Sequence, residues 1–193
     1  MWIIDFDDHA VDTAGPCAAG VTGRGGASAW SIRADPASPV GGRHLAQTTT
    51  LRVDDRFPLC LFDLPVAGDV DVSVRFRAVS GQIDRAAGLI VRARDGDNYY
   101  VVRANALEDN VRFYRVVGGR RTQIAGAEAK VTTNAWHTLR LTALGRGFTV
   151  EFDGRRLFAA EDATFAGAGR VGLWTKADSA TDFDDVRIAT PPD

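Results

Sequence analysis

A chain of 193 residues that is 45% hydrophobic and 25% charged has the make-up of an ordinary folded globular protein, and this length fits one all-β domain, residues 1–193, around one core. Its 23 Lys and Arg residues against 25 Asp and Glu leave a formal net charge of -2 at pH 7, which argues against a nucleic-acid partner, since such partners are met by a basic balance or a basic stripe. No apolar run is long enough to span a bilayer, so no membrane partner is expected.

The N-terminus reads as Met1-Trp2-Ile3-Ile4 followed at once by Asp5, Asp7 and Asp8. That leaves no apolar core for a secretory leader in the chain as given, and secreted or periplasmic residence would follow only from a leader removed beforehand. Trp2–Phe6 alternates like an edge strand. Ala10–Ala27 is rich in Gly, Ala, Thr and Pro and predicts a long surface loop. Ser28–Arg33 sets Trp30 and Ile32 on one face, and the prolines Pro36 and Pro39 then forbid regular pairing. His44–Thr48 and Leu59–Asp63 are short strand candidates. Cys17 and Cys60 can make at most one disulfide, and their spacing leaves pairing open.

Val70–Val79 carries the strongest period-two signal, with Val70, Val72, Val74 and Phe76 inward and Asp71, Ser73, Arg75 and Arg77 on a solvated face. Gly88–Gly119 reads as three antiparallel strands. A four-residue loop at Ala106–Asp109 pairs Asn105 with Asn110, Arg103 with Arg112 and Val101 with Tyr114, so one hairpin face is apolar and the other carries Arg, Asn and Tyr. Gly118-Gly119 suits a tight turn into Arg120–Ala125, and Gly126–Asn134 reads as a loop. Trp136–Ala143, then Phe148, Val150 and Phe152 leading to the Asp153-Gly154 turn, then Arg155–Ala160, Gly169–Thr175 and Thr181–Ile188 complete the set. About a dozen short strands without helical periodicity predict an all-β, two-sheet antiparallel sandwich with under about a tenth of its residues helical. Trp2–Phe6 and Thr181–Ile188 should share a sheet. The four tryptophans and ten phenylalanines are expected to fill the space between the sheets.

Ala87-Gly88-Leu89 to Tyr99-Tyr100, Trp136-His137-Thr138-Leu139, Val150 to Gly154, Gly172-Leu173-Trp174 and Phe183-Asp184-Asp185-Val186 together resemble the concanavalin A-like lectin and glucanase superfamily. Within it the chain is similar to laminin G-like jelly rolls and to bacterial keto-disaccharide hydrolase-like domains. The resemblance covers about Val70–Ile188. It implies a jelly roll with one convex and one concave sheet and a saccharide partner on the concave sheet or its rim. It also implies a structural calcium as the one possible cofactor, because an Asp at the place of Asp184 ligates such an ion in the glucanase branch. Asp5, Asp7 or Asp8 and backbone carbonyls would then have to help complete the six to eight oxygens that calcium takes. Without an ion, Asp184 reads as a solvated acidic strand end.

The candidate ligand residues are Arg103, Asn105, Asn110, Arg112 and Tyr114 on the polar hairpin face, with Trp174 and Lys176 as an aromatic and cationic edge. Two arginines directly across a ladder repel, so a carboxylate of the protein or a ligand must lie beside them. Glu108 is the nearer candidate. Trp174 can stack on a sugar ring or belong to the core, and Lys176 can face a ligand or pair with Asp178. Catalytic residues are not identifiable: Glu151 and Asp153 share a face, but Arg156 stands where the glucanase signature has its last Glu, and Asp153-Gly154 is better read as a turn. His9, His44 and His137 lack metal-ligand spacing. The function expected is a lectin-like carbohydrate-binding domain. A glycoside-cleaving enzyme of the keto-disaccharide type and a non-sugar protein-interaction domain are the alternatives. Oligomeric state is not legible.

Overall fold

The computed structural model describes residues 1–64 and 68–191, and places fifteen strands, β1 to β15 in chain order, in two antiparallel sheets. Across the eight-stranded sheet lie β13 (Arg155–Glu161), β12 (Gly147–Phe152), β11 (Trp136–Leu144), β6 (Val70–Ser80), β15 (Ala180–Ala189), β4 (Arg43–Gln47) and β3 (Trp30–Ala34). The eighth strand, β1 (Trp2–Ile4), pairs with β15 through Trp2 opposite Ile188 and Ile4 opposite Val186. The seven-stranded sheet runs β10 (Arg120–Glu128), β9 (Asn110–Val117), β8 (Tyr99–Asn105), β7 (Ala86–Ala93), β14 (Arg170–Trp174), β5 (Arg56–Phe62) and β2 (Cys17–Gly23). The chain is thus an all-β, two-sheet antiparallel jelly-roll sandwich. No helix occurs among the described residues, and none is therefore long and apolar enough to cross a membrane.

Alternation decides the packing. In β6 the burial strictly alternates, with Val72, Val74 and Phe76 under the sheet. They meet Leu89, Val91, Tyr100, Val102 and Phe113 of the opposite sheet in the main core. Each such side chain fully withdrawn from water contributes roughly 1.5–3 kcal/mol. The seven-stranded sheet behaves differently. Every residue of β7 and β8 is buried, because its outer face carries a second apolar cluster that includes Phe57, Leu59, Ile90, Tyr99, Val101, Tyr114 and Trp174.

Three expectations need correction. The segment Ala10–Ala27 is not one loop: Cys17–Gly23 forms β2, an edge strand laddered along the whole of β5. Its small side chains gave no period-two signal, and its place comes from backbone pairing and from the Cys17–Cys60 disulfide, whose Cα atoms are 5.3 Å apart. The loop read from Gly126 begins later, since β10 runs to Glu128 past a bulge between Gln123 and Ala125. The tryptophans do not fill the space between the sheets as a group. Trp30 does, whereas Trp2 is largely exposed and Trp174 belongs to the outer cluster.

The disulfide closes a loop with a sequence separation of 43. Restricting the unfolded chain over such a loop is worth about 4 kcal/mol on chain-entropy grounds. Replacing both cysteines by serine is expected to lower the unfolding free energy by about 3–4 kcal/mol in a denaturant titration, and an unchanged midpoint would remove the bond from the account of stability.

Candidate functional site

The β8–β9 hairpin has the register that its sequence dictates: Asn105 opposite Asn110, Arg103 opposite Arg112, and Val101 opposite Tyr114. Asn105 organises the connecting loop, its Oδ1 accepting the backbone N–H of Leu107 at 2.8 Å and of Glu108 at 3.2 Å. This Asx-type turn brings Glu108 back over the strand. Arg103, 5% exposed, donates through Nη2 to Glu108 Oε2 at 2.7 Å and to the Tyr114 hydroxyl at 3.3 Å, and through Nη1 to Asn110 Oδ1. Partial burial works against the Glu108 charge, yet the Arg103 guanidinium and the Asn110 amide hold its carboxyl below the usual range. Arg112 donates to Glu128 Oε1 at 2.5 Å. The repulsion between the two facing arginines is therefore answered by two carboxylates of the protein itself.

Beside the hairpin, Lys176 Nζ lies 2.6 Å from Asp54 Oδ1 and 3.0 Å from Asp84 Oδ2. Asp84 Oδ1 accepts from Asn105 Nδ2 at 2.8 Å. Burial pushes the Asp84 carboxyl up, against the pull of Lys176. Lys176 does not pair with Asp178, whose carboxylate instead takes the backbone N–H groups of Gln82, Ile83 and Asp84. Asp84 gave no signal in the sequence, since it sits in a polar turn before β7 and gains its role from strands far along the chain.

This face is strongly curled inward. The Thr22 hydroxyl of β2 lies 2.9 Å from the Tyr99 hydroxyl of β8, although the two strands are four places apart in the sheet. At about 4.8 Å per place a flat sheet would hold them roughly 19 Å apart. The same curl places Trp174, fully buried, in a stack on Phe57 with ring centroids 5.5 Å apart and planes 14° apart. Gly88 makes room for it, because a Cβ there would meet Val102 O at 2.9 Å and the Trp174 ring at 3.2 Å. Arg121 of β10 closes the cluster from outside, its Cζ 4.4 Å from the Tyr114 ring centroid, 5.0 Å from Phe57 and 5.7 Å from Trp174. Burial in the same cluster pushes the Tyr99 phenol up to about 12. The structure thus brings Arg103, Asn105, Asn110, Arg112, Tyr114 and Lys176 to one end of the curled face, with Trp174 sealed beneath Arg121.

The alternative carboxylates are dispersed. Glu151 pairs with Arg140 on the outer face of the other sheet. Asp153 occupies the left-handed region at φ 49° in its turn and holds His137 Nδ1 at 2.7 Å.

No family model matches the chain, and no curated protein sequence does. Solved structures do. Carbohydrate-binding module CBM66 from Bacillus subtilis superposes with a TM-score of 0.70 at 20% identity, over 91% of this chain and 98% of that one. The cellulose-induced protein Cip1 gives 0.71 at 13% identity over 99% and 98%. The exoplasmic/lumenal domain of VIP36, in its Ca2+/Man-bound form, gives 0.60 at 13% over 84% and 83%. At these identities the likeness is one of fold.

Asp184 is not a solvated strand end. It is fully buried, and it meets the β3–β4 connection, which donates the Val40 N–H to its Oδ2 at 3.0 Å while Asp185 N–H donates to Oδ1 at 2.7 Å. Arg77 and His44 tie down the same connection through Asp35 and Ser38. Among the described residues no group of three or more His, Cys, Asp or Glu side chains is placed to hold a metal ion. With both Asp184 oxygens already engaged, the residues here do not fit the calcium that the resemblance implies. Burial, with the nearby Asp185 and Asp7 charges, instead pushes the Asp184 carboxyl up to about 6 from an ordinary 3.8. The folded state then binds this proton more tightly than the unfolded chain does. Stability falls as pH rises through the window from about 4 to about 6, by roughly 3 kcal/mol at most. Asp184→Asn is expected to abolish that dependence, so that its stability relative to wild type improves from about pH 4 to about pH 7. Denaturant titrations at several pH values that give a constant difference would overturn the assignment.

Proposed function

We propose that the protein is a non-catalytic carbohydrate-binding module that takes a saccharide at the polar end of the curled face. The observation that carries this reading is the Arg103–Glu108–Asn110–Tyr114 constellation. It sets a carboxylate, a guanidinium, a carboxamide and a phenol side by side, with the Glu108 side chain 48% exposed. Sugar hydroxyls donate and accept at once, so they need both kinds of partner within one patch. Side chains already fixed by mutual hydrogen bonds lose little freedom on binding. Glu108 and Arg112 meet the ligand, while buried Asn105, Asp84 and Trp174 hold the patch from beneath. The fold neighbours support the reading: one is a carbohydrate-binding module and another has mannose bound.

Glycoside cleavage is the weaker alternative. It requires two carboxyls flanking the scissile bond, and Asp84, the neighbour of Glu108 on this face, is only 2% exposed and already held by Lys176 and Asn105. Glycan-array binding combined with a reducing-sugar release assay separates a module from an enzyme and from a protein-interaction domain. Arg112→Ala and Glu108→Gln should each weaken saccharide binding by about 1.5–3 kcal/mol, the worth of a charged hydrogen bond, the first with the melting temperature retained and the second with it lowered, because buried Arg103 loses its counter-charge. Variants that bind like wild type would reduce the patch to a solvated face.

A further inference from the structure

At the polar end of the curled face each cation is matched to a carboxylate. Arg103 has Glu108, Arg112 has Glu128, and Lys176 has Asp54 and Asp84. Arg121 has no carboxylate within ion-pair distance among the described residues, and its Nη1 is buried without a hydrogen-bond partner. It is nonetheless only half-buried, and it lies over the ring of Tyr114, whose hydroxyl accepts from Arg103. Tyr114, itself buried, therefore touches both Arg121 and the Arg103 end of the proposed sugar patch.

We infer that Arg121 is the specificity-determining residue for an acidic saccharide, and that it pairs with the carboxylate of a uronic acid unit. The inference rests on the saccharide-binding reading above and adds the ligand's charge to it. A guanidinium over an aromatic ring keeps its N–H groups in its own plane, where a planar carboxylate can accept two of them. The three flanking rings exclude water and strengthen such a pair. A purely structural cover needs no guanidinium, since an unbranched apolar side chain would cover the rings without desolvating a charge. The count of charge also limits the anion. One guanidinium without a carboxylate at ion-pair distance matches a single negative charge, as a uronate carries, better than a phosphate dianion.

The test is calorimetric titration of the intact chain with a panel of uronate oligosaccharides, each beside its methyl ester and its parent neutral sugar. The acid is expected to bind at least about tenfold more tightly than its ester, the least that one charged hydrogen bond supplies. Arg121→Met, which keeps the packing over the rings, should erase that preference and leave neutral-sugar binding in place. Arg121→Lys, which keeps the charge without the planar fork, should retain part of it. Equal binding of acid and ester by wild type overturns the inference and leaves the module reading standing, and so does an acid preference that survives in Arg121→Met. Failure of every saccharide to bind wild type overturns the module reading, and the inference with it.

Discussion

The seven-stranded sheet has apolar residues to hide on both of its faces, and most of the molecule follows from that. A sheet in a sandwich ordinarily turns one face to the core and the other to water, and so alternates, as β6 does. Here β7 and β8 are buried at every position. With no third layer to cover Phe57, Tyr99, Val101 and Trp174, the sheet covers them with itself. Its right-handed twist deepens until β2 touches β8, and the Arg121 side chain closes what remains. The concavity in which a ligand could sit is thus a by-product of a packing problem.

Polar residues gather where that apolar strip ends. Past Tyr114 the hairpin carries Arg, Asn and Glu in place of aromatic rings, and each buried charge there has a counter-charge or a hydrogen-bond partner: Arg103 with Glu108, Asp84 with Lys176. Such pairs contribute little net stability because desolvation offsets their attraction. Their effect is geometric. They fix long side chains that would otherwise sample many rotamers, and a surface fixed before its ligand arrives binds more tightly than a mobile one.

Much of this was legible in the residues. Val70 to Val79 announced a half-buried strand, and the loop Ala106–Asp109 set the hairpin register correctly, because a side-chain period of two admits no half-steps. What stayed hidden depended on distant partners. β2 has small side chains and exists as a strand because β5 offers it a ladder. The face of Trp174 could be read from alternation, but its burial could not, since its cover comes from Phe57 and from Arg121, remote in sequence and joined to it only by the curl. The burial of Asp184 has no mark in the sequence, because the connection that donates Val40 N–H to it has two prolines and no periodic signal of its own. Sequence pattern reports which face a side chain is on. It does not report what crosses over that face.

The place of the last strand bears on how the protein comes into being. β15 lies inside the eight-stranded sheet, between β6 on one side and β4 with β1 on the other. During synthesis the β3–β4 pair and the meander formed by β6 with β11 to β13 must wait as separate fragments, each with an open edge, until the strand that joins them leaves the ribosome. Pairings so distant along the chain form slowly, and unpaired edges are prone to wrong partners in the interval. For this architecture, nascent chains cut short before Ala180 are the species most in need of protection by chaperones.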